Sequence, residues 1–336
     1  MKKVSIIIPV YNMEDWVESG IKCITEQTYE NLEIIIVDDG SKDNSYMKCL
    51  AEADKDRRIA VFSKNNEGPG AARNLALRKA TGDYIYFFDI DDYLEKNAIE
   101  KFVRYMENEN TDLVVCSFSM FDGEKVFRTV KKADGLKRTG GDARKDYYEH
   151  MFMYGERGIQ GAAWFKLYKT EIIRKNGIEF PKLRKSEDDV FVARYVNCID
   201  SFYMTGDVLC RYYVNSYKRF WDKYRFDIFD TSRQSTMYVK DIVLSWNRNN
   251  KDVLQRIYDD YFHKTFGSFC FLFNPNLKLN RKARYARLKE ITDIFMDDIS
   301  CDGIEINHPI FKCMKKKNYR AIYVRIVLHI WKHKFD

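Results

Sequence analysis

From Val4 to Phe118, short runs dense in β-branched and aromatic residues alternate with segments whose apolar residues recur every three or four positions. No other feature of the chain restricts its fold as much. The runs VSIIIPV, LEIIIVDD, IAVFSKN, DYIYFFDID and DLVVCSF have the continuous apolar character of strands covered on both faces. Between them, helices are expected over Glu14 to Glu26, over SKDNSYMKCLAEADK with cap-forming residues at its start, over GPGAARNLALRKA with Gly82 as its stop, and over Glu95 to Glu107. Strand and helix in strict alternation imply an α/β fold with a mostly parallel central sheet flanked by helices. Such sheets bind ligands beyond the carboxyl ends of their strands. Two of these strands end in acid, at Asp38 and Asp39 and at Asp89, Asp91 and Asp92.

The rhythm changes after Asp122. KVFRTV reads as a short antiparallel strand and Asp142 to Tyr154 as a helix. WFKLYK and SFYMTGDVLCRYYV read as extended pieces around a helix near Asp189 to Cys198. From about Arg219 the pattern is mostly helical, and over Arg281 to Met296 it places Tyr285, Leu288, Ile291 and Phe295 on one face. A length of 336 residues suits two domains at roughly 150 residues each. The boundary is expected near 220, giving an α/β domain over 1–220 and a helical C-terminal region over 221–336.

The acidic ends demand a chemical reason. Side chains alternate along a strand, so Asp89 and Asp91 are expected on one face. Two carboxylates placed together repel each other and lose hydration unless a cation joins them. Hard oxygen donors suit Mg²⁺ or Mn²⁺, which keep coordination positions open for phosphate. The bland alternative is a solvated acidic turn that opens the next helix. In VDDGSKDNS, Asp38 or Asp39 can accept from an amide N–H such as uracil N3–H, or can close an Asx turn. Arg73 lies one turn into a helix that begins after Gly68 and Gly70, where it can face a diphosphate or form a surface salt bridge.

At +7, the net charge favours anionic partners, namely nucleotides, lipid headgroups or nucleic acid, but the preferred reading of it is a Lys-rich solvated surface. The eight cysteines are scattered with no C-x-x-C pair, which fits free thiols in a reducing cytosol better than disulfides or zinc. MKKVSIIIPVYN is a poor signal peptide because its apolar run is short and Pro9 interrupts it. No apolar stretch reaches about 18 residues, so no transmembrane helix is expected.

The blocks VSIIIPVYN, EIIIVDDGSKDNS, NNEGPGAARNLAL and GDYIYFFDIDDYL, in this order and spacing, resemble the family 2 inverting glycosyltransferases with the Rossmann-like GT-A fold. The resemblance is strong over about 1–120, continues to about 215 through WFKLYK and SEDDVF, and fades beyond. It implies nucleotide-sugar binding by 1–120 and an acceptor and catalytic part over 121–220. It also implies a role for individual positions. Pro9, Val10, Tyr11, Asn12 and Asp39 would hold the uridine of a UDP-sugar, with Asn66 and Arg73 beside the base or diphosphate. Asp89, Ile90 and Asp91 would form the acidic motif, Asp91 coordinating Mn²⁺ or Mg²⁺ and Asp89 contacting ribose or the metal shell. The family's Glu-Asp pair falls on Glu187 and Asp188, which makes Asp188 the general base, with Asp189 an extra acid next to it. Trp164 and Lys166 match a segment close to donor sugar and acceptor. Read without the family, SEDDVF is a helix start with Ser186 as N-cap.

The expected activity is therefore inverting, metal-dependent transfer of a hexose or N-acetylhexosamine from a UDP-sugar to a saccharide acceptor, lipid-linked, in surface-polysaccharide synthesis. The expected location is the cytoplasm, peripheral at the membrane. The C-terminal segment KCMKKKNYRAIYVRIVLHIWKHKFD is basic, with Tyr319, Ile322, Tyr323, Ile326, Val327 and Ile330 at helical spacing. Such a helix packs on its own domain or on a second copy in a homo-oligomer, or lies on an anionic membrane. Three alternatives fit less well. A non-catalytic nucleotide-sugar or nucleic-acid binding protein would be expected to carry an interleaved basic-aromatic motif, which is missing. A nucleotidyltransferase would need a Gly-rich basic loop near the N-terminus. A dinucleotide oxidoreductase would need G-x-G-x-x-G after the first strand.

Overall fold

The computed structural model describes residues 1–141, 143–151, 161–183, 186–214, 228–246, 251–300 and 302–333. The chain forms two compact units, Met1–Asn215 and Ser216–Asp336.

In the first unit, the expected alternation is realised. Strands β1 (Val4–Val10), β2 (Leu32–Asp38), β3 (Ile59–Ser63) and β4 (Tyr84–Phe87) alternate with helices α1 (Val17–Thr25), α2 (Ser45–Ala53) and α3 (Pro69–Lys79). All three pairings among these strands are parallel, in the order β3-β2-β1-β4. The β-branched runs form the centre of the sheet because both faces are covered, and Val4, Ile6, Ile7 and Ile8 have no exposed surface.

Beyond β4 the sheet becomes mixed. Helix α4 (Ala98–Asn108) leads to β6 (Leu113–Phe121), and the short β5 (Tyr93–Leu94) precedes it. Then come β7 (Val126–Val130), β8 (Leu136–Thr139), α5 (Ala143–Met151), β9 (Lys166–Lys169), α6 (Thr170–Lys175), α7 (Glu187–Val196) and β10 (Ser201–Tyr213). Among the described residues the full order is β3-β2-β1-β4-β9-β6-β10-β5, with β7 on β6 and β8 on β10. Strand β9 runs antiparallel to both β4 and β6, so it joins the parallel half of the sheet to the rest. KVFRTV is the antiparallel strand expected. Of the helix expected over Asp142 to Tyr154, residues 142 and 152–154 lie outside the described residues, as do 219–227.

Two local expectations are corrected. Gly82 does not stop α3, which ends at Lys79 with Ala80 extended. Gly82 instead allows a close approach to β1: a Cβ there would stand 2.6 Å from Ser5 Oγ and 2.7 Å from Ser5 N. Strand β4 stops at Phe87, and Asp92 N donates to Asp89 O at 2.9 Å. Asp89 to Asp92 is therefore a turn, and strand alternation does not set the directions of Asp89 and Asp91.

The second unit is helical. Its segments Ile228–Trp246, Lys251–Phe271, Arg281–Ile299, Pro309–Lys315 and Tyr319–His333 enclose a core that includes Tyr258, Tyr261, Phe262, Phe295 and Phe311. The expected apolar face of Arg281–Ile299 buries Leu288, Ile291 and Phe295. Asn280 caps this helix by accepting from Ala283 N at 2.9 Å. Among the described residues, no helix is long and apolar enough to cross a membrane, and the described cysteines are free.

Candidate active site

The parallel strands bring the ends of β1, β2 and β4 to one edge of the sheet, as the ladder requires. Val10 is in register with Asp38, and Asp39 N donates to Val10 O at 2.8 Å. Ile7 O accepts from Phe88 N at 3.0 Å, the last contact between β1 and the β4 chain. Pro9, two residues on, faces the same side, so its missing N–H falls where β1 has already lost that neighbour. The loops after β1 and β2 are tied together: Asn12 N donates to Ser41 Oγ, and Lys42 N donates to Asn12 Oδ1. Asn12 has φ of 51°, a left-handed conformation that Asn tolerates. Tyr11 is exposed beside it.

The two aspartates at the end of β2 do different work. Asp38 closes the Asx-type turn, accepting from Gly40 N, Ser41 N and Ser63 Oγ. Asp39 accepts from Lys64 Nζ at 3.0 Å, Glu67 N at 3.1 Å and Gly68 N at 2.7 Å. It thereby fixes the segment that leads into α3. Asn66, in that segment, is exposed. A carboxylate offers about four acceptor positions, so one remains on Asp39.

Arg73, on the second turn of α3, gathers the rest of the site. Its Nη2 donates to Asp89 Oδ1 at 2.9 Å, and its Nη1 to Asp188 Oδ1 at 2.9 Å and Glu187 Oε1 at 3.1 Å. The guanidinium is buried and lies over the Phe180 ring, 5.4 Å from its centre. Phe180 stacks on Phe191 at 4.1 Å, and Phe87 meets both rings edge-on. Asn74 holds Phe180 in place with two backbone hydrogen bonds. Gly70 leaves room for Glu187, whose Cγ would be 3.1 Å from a Cβ at that position.

Glu187, Asp188 and Asp189 form the first turn of α7, where acid complements the helix dipole. Ser186 occupies the N-cap position in the left-handed region (φ 59°) with no side-chain cap bond, unlike an ordinary Ser cap. Asp188 Oδ2 accepts from Ala163 N at 3.1 Å, so each of its oxygens has a fixed donor. Burial raises the Asp188 carboxyl above its usual range, against the pull of Arg73. Burial, then the Asp188 charge, pushes Glu187 up to about 7. Glu187 and Asp188, buried next to each other, thus hold a proton more readily than exposed carboxyls do. Asp189 lies against Gly161, where a Cβ would collide with its carboxylate.

Asp89 and Asp91 are each partly exposed on the turn after β4. Gly20 of α1 supports this turn from below: a Cβ on Gly20 would stand 2.3 Å from Ile90 O, and the Ile90 side chain is buried. The described residues contain no cluster of three acids, His or Cys that forms a metal site on its own. Two carboxylates at a partly open turn fit a hard divalent ion that takes its other ligands from a bound phosphate and water.

Trp164 and Lys166, read from sequence as near donor and acceptor, are both buried. Trp164 stacks on Tyr212 at 5.2 Å, and Lys166 Nζ donates to Ala162 O at 2.5 Å and lies 3.4 Å from the Phe165 ring centre. Burial lowers the Lys166 pKa well below the usual lysine value. Sequence reading missed Gly20, Asn74 and Phe180, and it set Gly70 ahead of α3, whereas the helix starts at Pro69 and contains Gly70. They carry no reactive group, and only close packing reveals what they do.

A sequence model described as Glycosyl transferase family 2 matches residues 5–176. EpsH of Bacillus subtilis is 34% identical over 194 residues, 57% of this chain and 55% of that protein. A poly(ribitol-phosphate) beta-glucosyltransferase of Bacillus spizizenii is 31% identical over 194 residues, 56% of this chain and 28% of that protein. The chain thus spans only part of the length of these relatives. Among solved structures, S. aureus TarS 1–349 in complex with UDP-GlcNAc superposes with a TM-score of 0.66 at 17% identity, covering 99% of this chain and 92% of that one. A mannosyltransferase of Pyrobaculum calidifontis, in complex with GDP-Man and Mn2+, gives 0.55 at 17% identity, covering 97% and 86%. At these identities the likeness establishes the fold, which is GT-A.

Proposed function

Because the chain belongs to glycosyl transferase family 2, we propose that it transfers a hexose or N-acetylhexosamine from a UDP-sugar to a saccharide hydroxyl with inversion. The observation that carries this reading is the shared guanidinium. Arg73 bonds at once to Asp89 of the acidic turn and to Asp188, the base, which lies 99 positions further along the chain. A leaving diphosphate at the turn and an attacking hydroxyl at Asp188 would then be within one side chain's reach of each other. The solved complex of TarS with UDP-GlcNAc supports a uridine donor.

In this reading the uridine lies over Pro9 to Asn12, and Asp39 uses its remaining acceptor position for the base N–H. Asp91, with Asp89, would hold Mn²⁺ or Mg²⁺. When bound, that ion supplies positive charge against the departing diphosphate. Asp188 accepts the proton of the acceptor hydroxyl as its oxygen bonds to the anomeric carbon and the bond to the UDP oxygen breaks. Arg73 Nη1 and Ala163 N hold both oxygens of Asp188, so the base is oriented before the acceptor arrives. Glu187 accepts from the same Nη1 of Arg73 and helps to hold the guanidinium in place. Asp189, turned against Gly161, is the less suited of the two aspartates.

The test is UDP release from a panel of UDP-sugars with Mn²⁺ or Mg²⁺, alongside Asp188→Asn. The expected loss of turnover is about 10²–10⁴-fold, with UDP binding retained. Release of GDP from GDP-mannose in preference to UDP from any UDP-sugar contradicts the uridine assignment. Full turnover by Asp188→Asn contradicts the assignment of the base.

A further inference from the structure

The helix Tyr319–His333 has two apolar faces, and the second unit uses one of them. Ile322 and Ile326 are completely buried in its core, with Tyr319, Tyr323 and Ile330 packed around them. Val327, expected from periodicity on that face, is not there. It belongs with Val324, Leu328 and Trp331, at i, i+3, i+4 and i+7, on a second stripe that is 40–65% exposed. This stripe runs about 10 Å along the helix.

Its surroundings are basic. Between Glu305 and Asp336 the sequence has eight Lys or Arg residues and no acid. Lys316, Lys317, Arg320, Arg325 and Lys332 are all exposed on or just before this helix. A second copy of the chain meeting this face symmetrically would set like charge against like charge. A surface that is both negative and apolar just beneath satisfies the cations and the stripe together. Trp at the rim of such a stripe is favoured at the lipid–water boundary.

We propose that this exposed face of Tyr319–His333 docks on anionic phospholipid, with Val324, Leu328 and Trp331 entering the headgroup layer and the flanking cations meeting lipid phosphates. The helix lies on the surface and does not cross it, in keeping with its length and charge. This inference does not rest on the sugar-transfer reading, and its test uses no nucleotide.

The full chain is sedimented with vesicles of phosphatidylcholine alone or of phosphatidylcholine mixed with phosphatidylglycerol, at low and high salt. The wild type is expected to pellet with the mixed vesicles only, and salt should release it. Leu328→Glu with Trp331→Glu should abolish pelleting. Lys316→Glu, Lys317→Glu and Arg320→Glu should each weaken it at least about fivefold. All these positions are exposed, and an unchanged melting temperature verifies the fold of each variant. Absence of wild-type pelleting, or pelleting unaffected by the Leu328/Trp331 pair, overturns the proposal. So does a concentration-dependent dimer that this pair dissolves while vesicle binding is absent, because that result assigns the face to a second copy.

Discussion

Replacing Arg73 with Met tests the centre of the site. The side chain keeps its apolar bulk over Phe180 but loses the cation that three carboxylates share. Each contact is worth about 4 kcal/mol at an effective dielectric near 20, roughly 12 kcal/mol for three. Repulsion among Asp89, Glu187 and Asp188 and the dehydration of all four groups offset most of this. Severed buried ion pairs typically cost about 3–5 kcal/mol net, and because Asp89 and Asp188 keep some solvent contact, the lower end is expected here. The cost should depend on pH. Burial and the Asp188 charge push the Glu187 carboxyl up to about 7 in the folded protein, above its unfolded value. A raised carboxyl pKa gives stability that is fully present below the unfolded pKa and is lost as pH rises through the folded one. Without Arg73 the Glu187 and Asp188 carboxyls rise further, so the variant should lose more at about pH 8 than at about pH 5. Urea unfolding of wild type and Arg73→Met at both pH values reads this directly. A loss below about 1 kcal/mol, or an equal loss at both pH values, would refute the view that Arg73 neutralises the cluster.

Further outcomes follow from the same geometry. Gly20→Ala should cost about 1–3 kcal/mol through overpacking against Ile90 O. It should also shift the Asp89–Asp92 turn enough to weaken Mn²⁺-dependent UDP binding about tenfold or more, measured by calorimetry beside a melting curve. Glu33 accepts from Ser5 Oγ, Thr81 N, Thr81 Oγ1 and Lys3 Nζ; burial opposes its ionisation, but these bonds prevail and hold its pKa below the usual range. Its contribution is therefore present above the unfolded pKa and lost as pH falls through the folded one. Glu33→Gln should cost about 1–2 kcal/mol at neutral pH, and the difference from wild type should vanish in acid unfolding curves.

The parallel half of the sheet was legible because burial on both faces leaves a mark in composition: runs such as IIIPV and IIIVD have few other uses. The acidic turn was legible as a cluster but not as a shape. Whether Asp89 and Asp91 share a face depends on where β4 stops, and that follows from its pairing with β1. The link from Arg73 to Asp188 crosses 115 positions and arises from the packing of α3 against α7. No local pattern encodes it. Gly82 looked like a helix stop because glycines usually mark ends, whereas here it marks contact with Ser5. In the C-terminal helix both stripes are apolar, so periodicity predicted a helix but could not say which stripe was packed.

The central claim is that the carboxyl ends of β1, β2 and β4 bind a uridine diphosphate through the acidic turn. It is tested most directly by titrating UDP into the protein in the presence of Mn²⁺, with Asp91→Ala as the comparison. The account predicts saturable heat for the wild type and its loss in Asp91→Ala. No heat from the wild type, or the same heat from both proteins, would contradict it.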